Sequence, residues 1–267
     1  MARFDFREIF RDQRTIIGMI HLPPLPGYKD SPGMQKLIEK ACQDLAALEE
    51  VGAHGVLVEN EYDQPHKVLA PPEIIAAMTA ITQAVVREAK IPVGLEILLN
   101  DPKASLAAAY ASGAQFVRTD YFVDRMTRPE YGGEMAIDPS GLLQYRKLIG
   151  AEHVGILADI QVKYATMLEE KTIAKSAQQA VEAGADAIIV TGKLTGKPPA
   201  EQELREAKKA VGNHPVLIGS GLDPNNVKDL LQHCDGAIVG TGIISNTYID
   251  RDKASRLMQQ VRDSECQ

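Results

Sequence analysis

Short apolar runs recur along the chain at residues 16–20, 55–58, 92–97, 116–119, 154–158, 187–190, 216–218 and 237–239. Each is too short for an ordinary globular helix and lacks strict polar alternation, the pattern of a strand buried on both faces of a parallel sheet. Between them lie segments with helical spacing of apolar positions, beginning near Met34, Pro72, Pro102, Pro139, Glu170, Ala200, Pro224 and Asp250. Several carry proline in the first turn, where its missing N–H costs nothing. Glycines in Gly52-Ala53, Gly113-Ala114 and Gly184-Ala185 precede strands and suit helix C-terminal caps.

Eight strands alternating with helices predict an α/β protein, a single (β/α)8 TIM barrel rather than an open sheet. Residues 1–14 would form an N-terminal cap in which Phe4, Ile9 and Phe10 cover one barrel mouth. Residues 15–248 would form the barrel and 249–267 a C-terminal helix. Three connections are longer than a barrel needs: 21–27, 121–137 and 192–199. All follow strand C-termini, the face where barrel sites are built.

With 267 residues and 45% apolar content the chain can bury a full core, and having no Trp it must build that core from Val, Ile, Leu and Ala. The formal charge is −7 and the basic residues are dispersed, which argues against a nucleic-acid polymer as partner. No run approaches the ~20 apolar residues of a bilayer span, and the charged opening Met1-Ala2-Arg3-Phe4-Asp5 lacks a signal-peptide core. The expectation is a cytoplasmic protein without membrane insertion, whose exterior helices would allow a homo-oligomer. Cys42, Cys234 and Cys266 have neither disulfide nor zinc spacing, and Cys42 should pack in the helical stripe of Ile38, Ala41, Leu45 and Leu48.

Two glycine turns change the picture from fold to ligand. Gly219-Ser220-Gly221 and Gly240-Thr241-Gly242 follow the seventh and eighth strands, the loops that hold phosphate in many barrels. Glycines let backbone N–H groups approach an anion. Asp223 as N-cap and Pro224 at the first helical position would add a helix N-terminus beside them. The expected ligand is a small phosphorylated substrate, with the Ser220 and Thr241 hydroxyls assisting. The alternative is that the glycines only make tight strand-to-helix turns.

Alternation places further side chains at the same end. Glu59 shares a face with Leu57, Glu96 with Gly94, Arg118 and Asp120 with Phe116, and Asp159 with Leu157, continued by Gln161 and Lys163. So many ionisable groups must pair or serve a ligand. One reading is a salt-bridge network in which Arg118 and Lys163 neutralise the acids. The other is proton transfer, with close carboxylates driven into acid and base roles. Lys163 would then form a Schiff base or act as a fixed positive charge. His21 is a candidate acid or base, and Thr191, Gly192 and Lys193, with Arg118, are candidate lid or substrate contacts. The residues specify no cofactor with certainty, and Glu59, Glu96 and Asp120 could hold magnesium through oxygen.

The segments Gly18-Met19-Ile20-His21-Leu22-Pro23-Pro24-Leu25-Pro26-Gly27, Val58-Glu59-Asn60, Ala158-Asp159-Ile160-Gln161-Val162-Lys163 and Ile218-Gly219-Ser220-Gly221 resemble, in this order, the BtpA family. Asn100-Asp101, Thr195-Gly196, Pro198-Pro199 and Gly240-Thr241 extend the resemblance from about Ile16 to about Met258. It implies a TIM-like, phosphate-binding barrel. The family takes its name from a cyanobacterial member linked to photosystem I accumulation, so it also implies an accessory role in biogenesis of a membrane complex as an alternative to catalysis. A phosphometabolite-binding sensor is a third reading. Glu96 and Asp120 stand where relatives tend to have asparagine, a local difference of two formal charges.

Overall fold

A computed structural model of the protein describes residues 3–11 and 14–265, so Cys266 lies outside the described residues. Eight parallel strands close into a barrel: β1 (Thr15–His21), β2 (Gly55–Glu59), β3 (Val93–Glu96), β4 (Phe116–Thr119), β5 (Gly155–Ile160), β6 (Ala187–Val190), β7 (Val216–Ile218) and β8 (Gly236–Val239). Helices α1 (Met34–Val51), α2 (Pro72–Glu88), α3 (Pro102–Ser112), α4 (Pro139–Leu148), α5 (Ile173–Glu182), α6 (Glu201–Val211), α7 (Val227–Leu230) and α8 (Arg251–Glu265) follow the strands in turn.

Strand alternation sorts the core into two layers. Ile16, Ile20, Val56, Val58 and Leu95 face the helices. Ile17, Met19, Leu57, Phe116, Leu157, Ile189, Leu217 and Ile238 fill the barrel interior. Phe4, Phe6 and Phe10 join that inner layer around the short helix Phe6–Ile9, which Asp5 caps, and so close the N-terminal mouth. Gly55 and Gly155 make this closure fit: a Cβ on Gly55 would lie 2.9 Å from the Phe10 ring, and one on Gly155 would lie 2.5 Å from the Phe4 ring.

The elements depart from expectation where tertiary contacts override the local pattern. Asp223 does not cap a helix at Pro224; its carboxylate accepts from the Asn225 and Asn226 N–H groups in a turn, and α7 is only four residues long. Helix α5 starts at Ile173 rather than near Glu170, with Thr172 capping it, because Thr166–Met167 is drawn into a small sheet. That sheet pairs Met126–Arg128 with both Gly133–Met135 and Thr166–Met167, so the long connection after β4 is a hairpin over the C-terminal mouth. Cys42 is half-buried, and burial pushes its thiol up to about 11.

Inside α1, Lys40 and Asp44 form a buried ion pair on one helix face. Lys40 Nζ also donates to the His21 carbonyl, and Asp44 accepts from the Ile249 N–H at 3.0 Å. The pair thereby locks the end of β1 to the chain entering α8.

Candidate functional site

Register brings His21, Glu59 and Glu96 side by side across β1, β2 and β3. His21 Nε2 lies 3.3 Å from Glu59 Oε2, and the Glu59 and Glu96 carboxyls are in hydrogen-bonding contact. Burial works to raise Glu59, but the His21 contact, the Arg118 charge and the Glu96 hydrogen bond outweigh it and hold this acid well below the ordinary carboxylate range. Glu96 goes the other way. Burial, opposed by Arg118 but helped by Asp120 and Glu59, pushes it well above that range. The two adjacent buried carboxyls are thereby driven apart, Glu59 toward the ionised and Glu96 toward the protonated form.

Arg118 reaches from β4 to β5, where Nε and Nη2 bind Asp159 Oδ2 and Oδ1 at 2.7 and 3.0 Å. Its Nε also stands 3.6 Å from Glu96. Thr191 Oγ1 donates to Asp159 as well. Asp159, expected as a catalytic residue, is fully buried, spends both oxygens on Arg118 and Thr191, and so orients Arg118. Thr191, expected as a lid or substrate contact, is bound to that carboxylate.

Asp120, just past β4, is pushed up to about 7 by burial and the Asp159 charge, against the pull of Arg118 and Lys163. Lys163 makes no direct ion pair or hydrogen bond with any described residue; it lines the cavity floor within the fields of Asp120 and Glu61. Gln161, expected to point inward, adopts φ +49° and turns away. Its amide binds the Lys171 carbonyl and Ser176 Oγ instead. Among the described residues no cluster of three His, Cys, Asp or Glu is arranged to hold a metal. Glu59, Glu96 and Asp120, weighed above as magnesium ligands, lie beside one another with His21 and Arg118 among them.

The glycine turns stand opposite. Gly219 N–H is spent on the Val190 carbonyl, and Ser220 Oγ accepts from Gly192 N–H at 2.9 Å while donating to the Lys197 carbonyl at 2.8 Å. Neither group is available to an anion as expected. Ser220, Gly221, Thr241 and Gly242 keep their N–H groups unspent toward any described residue, and all four residues line one small cavity of about 40 Å³. Gly221, at φ +71°, lets the loop after β6 cross over it: a Cβ there would lie 2.1 Å from Pro198 N. Gly192 sits under the same crossing, and Lys193 is exposed on a groove that adjoins the site through Val162, Lys163 and Tyr164.

A second cavity of about 150 Å³ reaches from Glu59, Glu96, Arg118 and Asp120 outward to Arg128, Tyr131 and Tyr164. The two cavities share Glu59, Glu61, Arg118, Lys163 and Thr195 as walls, so they form one site. Glu61 was missed although alternation continues Leu57 and Glu59 onto it; burial and the Glu59 charge raise its pKa. Asn60, part of the recognised motif, is scaffold: its Oδ1 accepts from Leu98 N–H and its Nδ2 donates to Asp63. Asp63 in turn holds the Leu25 N–H of the proline-rich loop at 2.7 Å.

Fold and site together define a (β/α)8 barrel protein with a polar pocket at the C-terminal strand ends. Its lineage is narrower. The chain belongs to the BtpA family, whose profile matches residues 12–263. An uncharacterised protein of Archaeoglobus fulgidus is 36% identical over 253 residues, covering 94% of this chain and 99% of the relative. The photosystem I biogenesis protein BtpA of Synechocystis is 35% identical over 242 residues, covering 90% and 83%. Among solved structures, thiamine phosphate pyrophosphorylase from Pyrococcus furiosus superposes with a TM-score of 0.60 at 16% identity, covering 95% of this chain and 98% of that one, a likeness of fold. Among the described residues no helix is long and apolar enough to cross a membrane.

Proposed function

We propose that the protein is an enzyme acting on a small phosphorylated sugar or nucleoside-like compound by proton transfer, as in isomerisation, lyase chemistry or glycosidic cleavage. One observation carries this reading: four residues with unspent backbone N–H groups line a cavity together with Glu59, and this cavity adjoins, over shared walls, the one that holds Glu96, whose carboxyl is shifted in the opposite direction from that of Glu59. Amide donors to an anion contribute about 1.5–3 kcal/mol each, so four of them seat a phosphate with useful affinity after ordering costs. Lys163 adds a fixed positive charge beside that seat. Glu96 supplies a proton, ionised Glu59 stabilises positive charge, and Asp120 exchanges protons near neutrality. Arg118, held by Asp159, balances the acids through the cycle.

The Synechocystis relative's name supports a second reading, an accessory factor in biogenesis of a membrane complex. An archaeal relative of equal similarity aligned over 99% of its length favours a shared role outside photosynthesis. A third reading is a phosphometabolite sensor, which would bind without turnover. Calorimetric titration with inorganic phosphate and sugar phosphates decides among them. The enzyme reading expects binding that Lys163→Met weakens about tenfold, the effect of ~1.4 kcal/mol, and turnover that Glu96→Ala abolishes while phosphate still binds. Absence of binding across the panel would overturn it.

A further inference from the structure

The outer part of the site has a chemistry that phosphate seating and proton transfer leave unused. Arg128 and Tyr131 come from the hairpin after β4, and Tyr164 comes from the loop after β5. The Arg128 guanidinium lies 4.8 Å from the Tyr131 ring centroid and 5.9 Å from that of Tyr164. The three-stranded sheet fixes this grouping, because Met126–Arg128 pairs with both Gly133–Met135 and Thr166–Met167. Glu130 holds Arg128 from the other side at 2.7 Å. Tyr164 Oη accepts from Thr195 N–H at 3.0 Å, which anchors the ring's polar end, yet the residue stays 51% exposed at the cavity rim. Leu98, Leu99 and Val162 supply an apolar wall to the same cavity.

Fixed π-faces with an adjacent guanidinium and an apolar wall are what a flat, partly polar ring needs for stacking. A bare sugar phosphate has no such ring and offers these faces only the C–H groups of its sugar. Further in, the Glu61 carboxylate makes no hydrogen bond to a described residue, while its backbone carbonyl accepts one from Gln64, and the carboxylate is an acceptor for ring N–H or exocyclic amino groups.

Building on the phosphate seat proposed above, we infer that Arg128, Tyr131 and Tyr164 form a stacking shelf for a planar heteroaromatic ring, so that the substrate is a phosphorylated compound of the nucleoside monophosphate type.

Calorimetric titration of the full chain with inorganic phosphate, ribose 5-phosphate, adenosine and adenosine 5′-monophosphate tests both parts separately. The shelf predicts that the nucleotide binds at least about tenfold more tightly than ribose 5-phosphate, the low end of what base stacking on an aromatic side chain contributes. Tyr164→Leu and Tyr131→Leu together should erase that ratio and leave inorganic phosphate affinity unchanged. Equal affinity for nucleotide and ribose 5-phosphate in the unaltered protein would overturn the shelf and leave the phosphate seat standing. A ratio that survives loss of both tyrosines would also overturn it. Adenosine binding that depends on the tyrosines, with no response to inorganic phosphate or ribose 5-phosphate, would support the shelf and sink the phosphate reading. No binding by any of the four overturns both.

Discussion

Arg118 and Asp159 meet in a two-pronged ion pair, 2.7 and 3.0 Å, across the junction of β4 and β5. Both side chains are buried, so removing either partner leaves a charge with neither water nor a counter-ion of equal geometry. Asp159→Asn should cost about 3–5 kcal/mol, the usual penalty for breaking a buried pair. Thr191→Val, which removes one hydrogen bond to the same carboxylate, should cost about 1 kcal/mol. Denaturant unfolding of the two variants reads this order directly. Equal stability of Asp159→Asn and the unaltered protein would show that Asp159 does not restrain Arg118.

Asp120 sets a pH dependence whose sign is fixed. Its ordinary value is 3.8, and in the folded protein it rises to about 7. The folded state therefore holds this proton more tightly than the unfolded chain. Its stabilising contribution is complete below pH ~4 and is lost as pH rises through ~7. Asp120→Asn removes that loss. Its melting temperature should exceed that of the unaltered protein by a few degrees at pH 8, with the gap closing toward pH 4; a gap independent of pH would contradict the assignment.

Glu96 acts as a neutral donor to Glu59, so an amide can take its place. Glu96→Gln should change stability by less than ~1 kcal/mol, whereas Glu96→Ala leaves Glu59 short of a donor beside a void and should cost about 1–3 kcal/mol. Thermal unfolding of both variants at pH 7 checks the contrast. Comparable losses in the two would mean that Glu96 is ionised and paired chiefly with Arg118.

Gly221 carries the loop crossing over the phosphate seat. Gly221→Ala combines a left-handed backbone, about 1–2 kcal/mol for a residue with a side chain, with a Cβ 2.1 Å from Pro198 N. The loop must lift, so phosphate affinity should fall at least about tenfold and the bonds from Gly192 to Ser220 and from Ser220 to Lys197 should open. Phosphate titration and amide exchange at Gly192 report the two effects. An unchanged titration would place anion binding elsewhere.

The barrel was legible because every strand is buried on both faces, which leaves runs such as Ala187-Ile188-Ile189-Val190 with no polar residue. Glu59, Glu96 and Arg118 were legible because alternation continues to the strand ends. Alternation failed at Gln161, where a positive φ reverses the next side chain, and no local pattern announces that. Alternation and the glycine turn placed Asp159 and Ser220 near the site but not their partners, which come from β4 and from the loop after β6. Arg128 and Tyr131 were invisible, because the hairpin that carries them has neither helical nor strand period. Formal charge also misled: burial raises both Glu96 and Asp120, the latter to about 7, which shifts the two acids toward the uncharged character of asparagine.

The aromatic plug at the N-terminal mouth constrains the timing of folding. Phe4 and Phe10 fill spaces left by Gly155 and Gly55, and the Phe4 N–H bonds to the Glu152 carbonyl just before β5. During synthesis on the ribosome this segment emerges before any of those partners. It must remain undocked until more than half of the polypeptide has followed it, and its seating then reports that the first five strands have found their order.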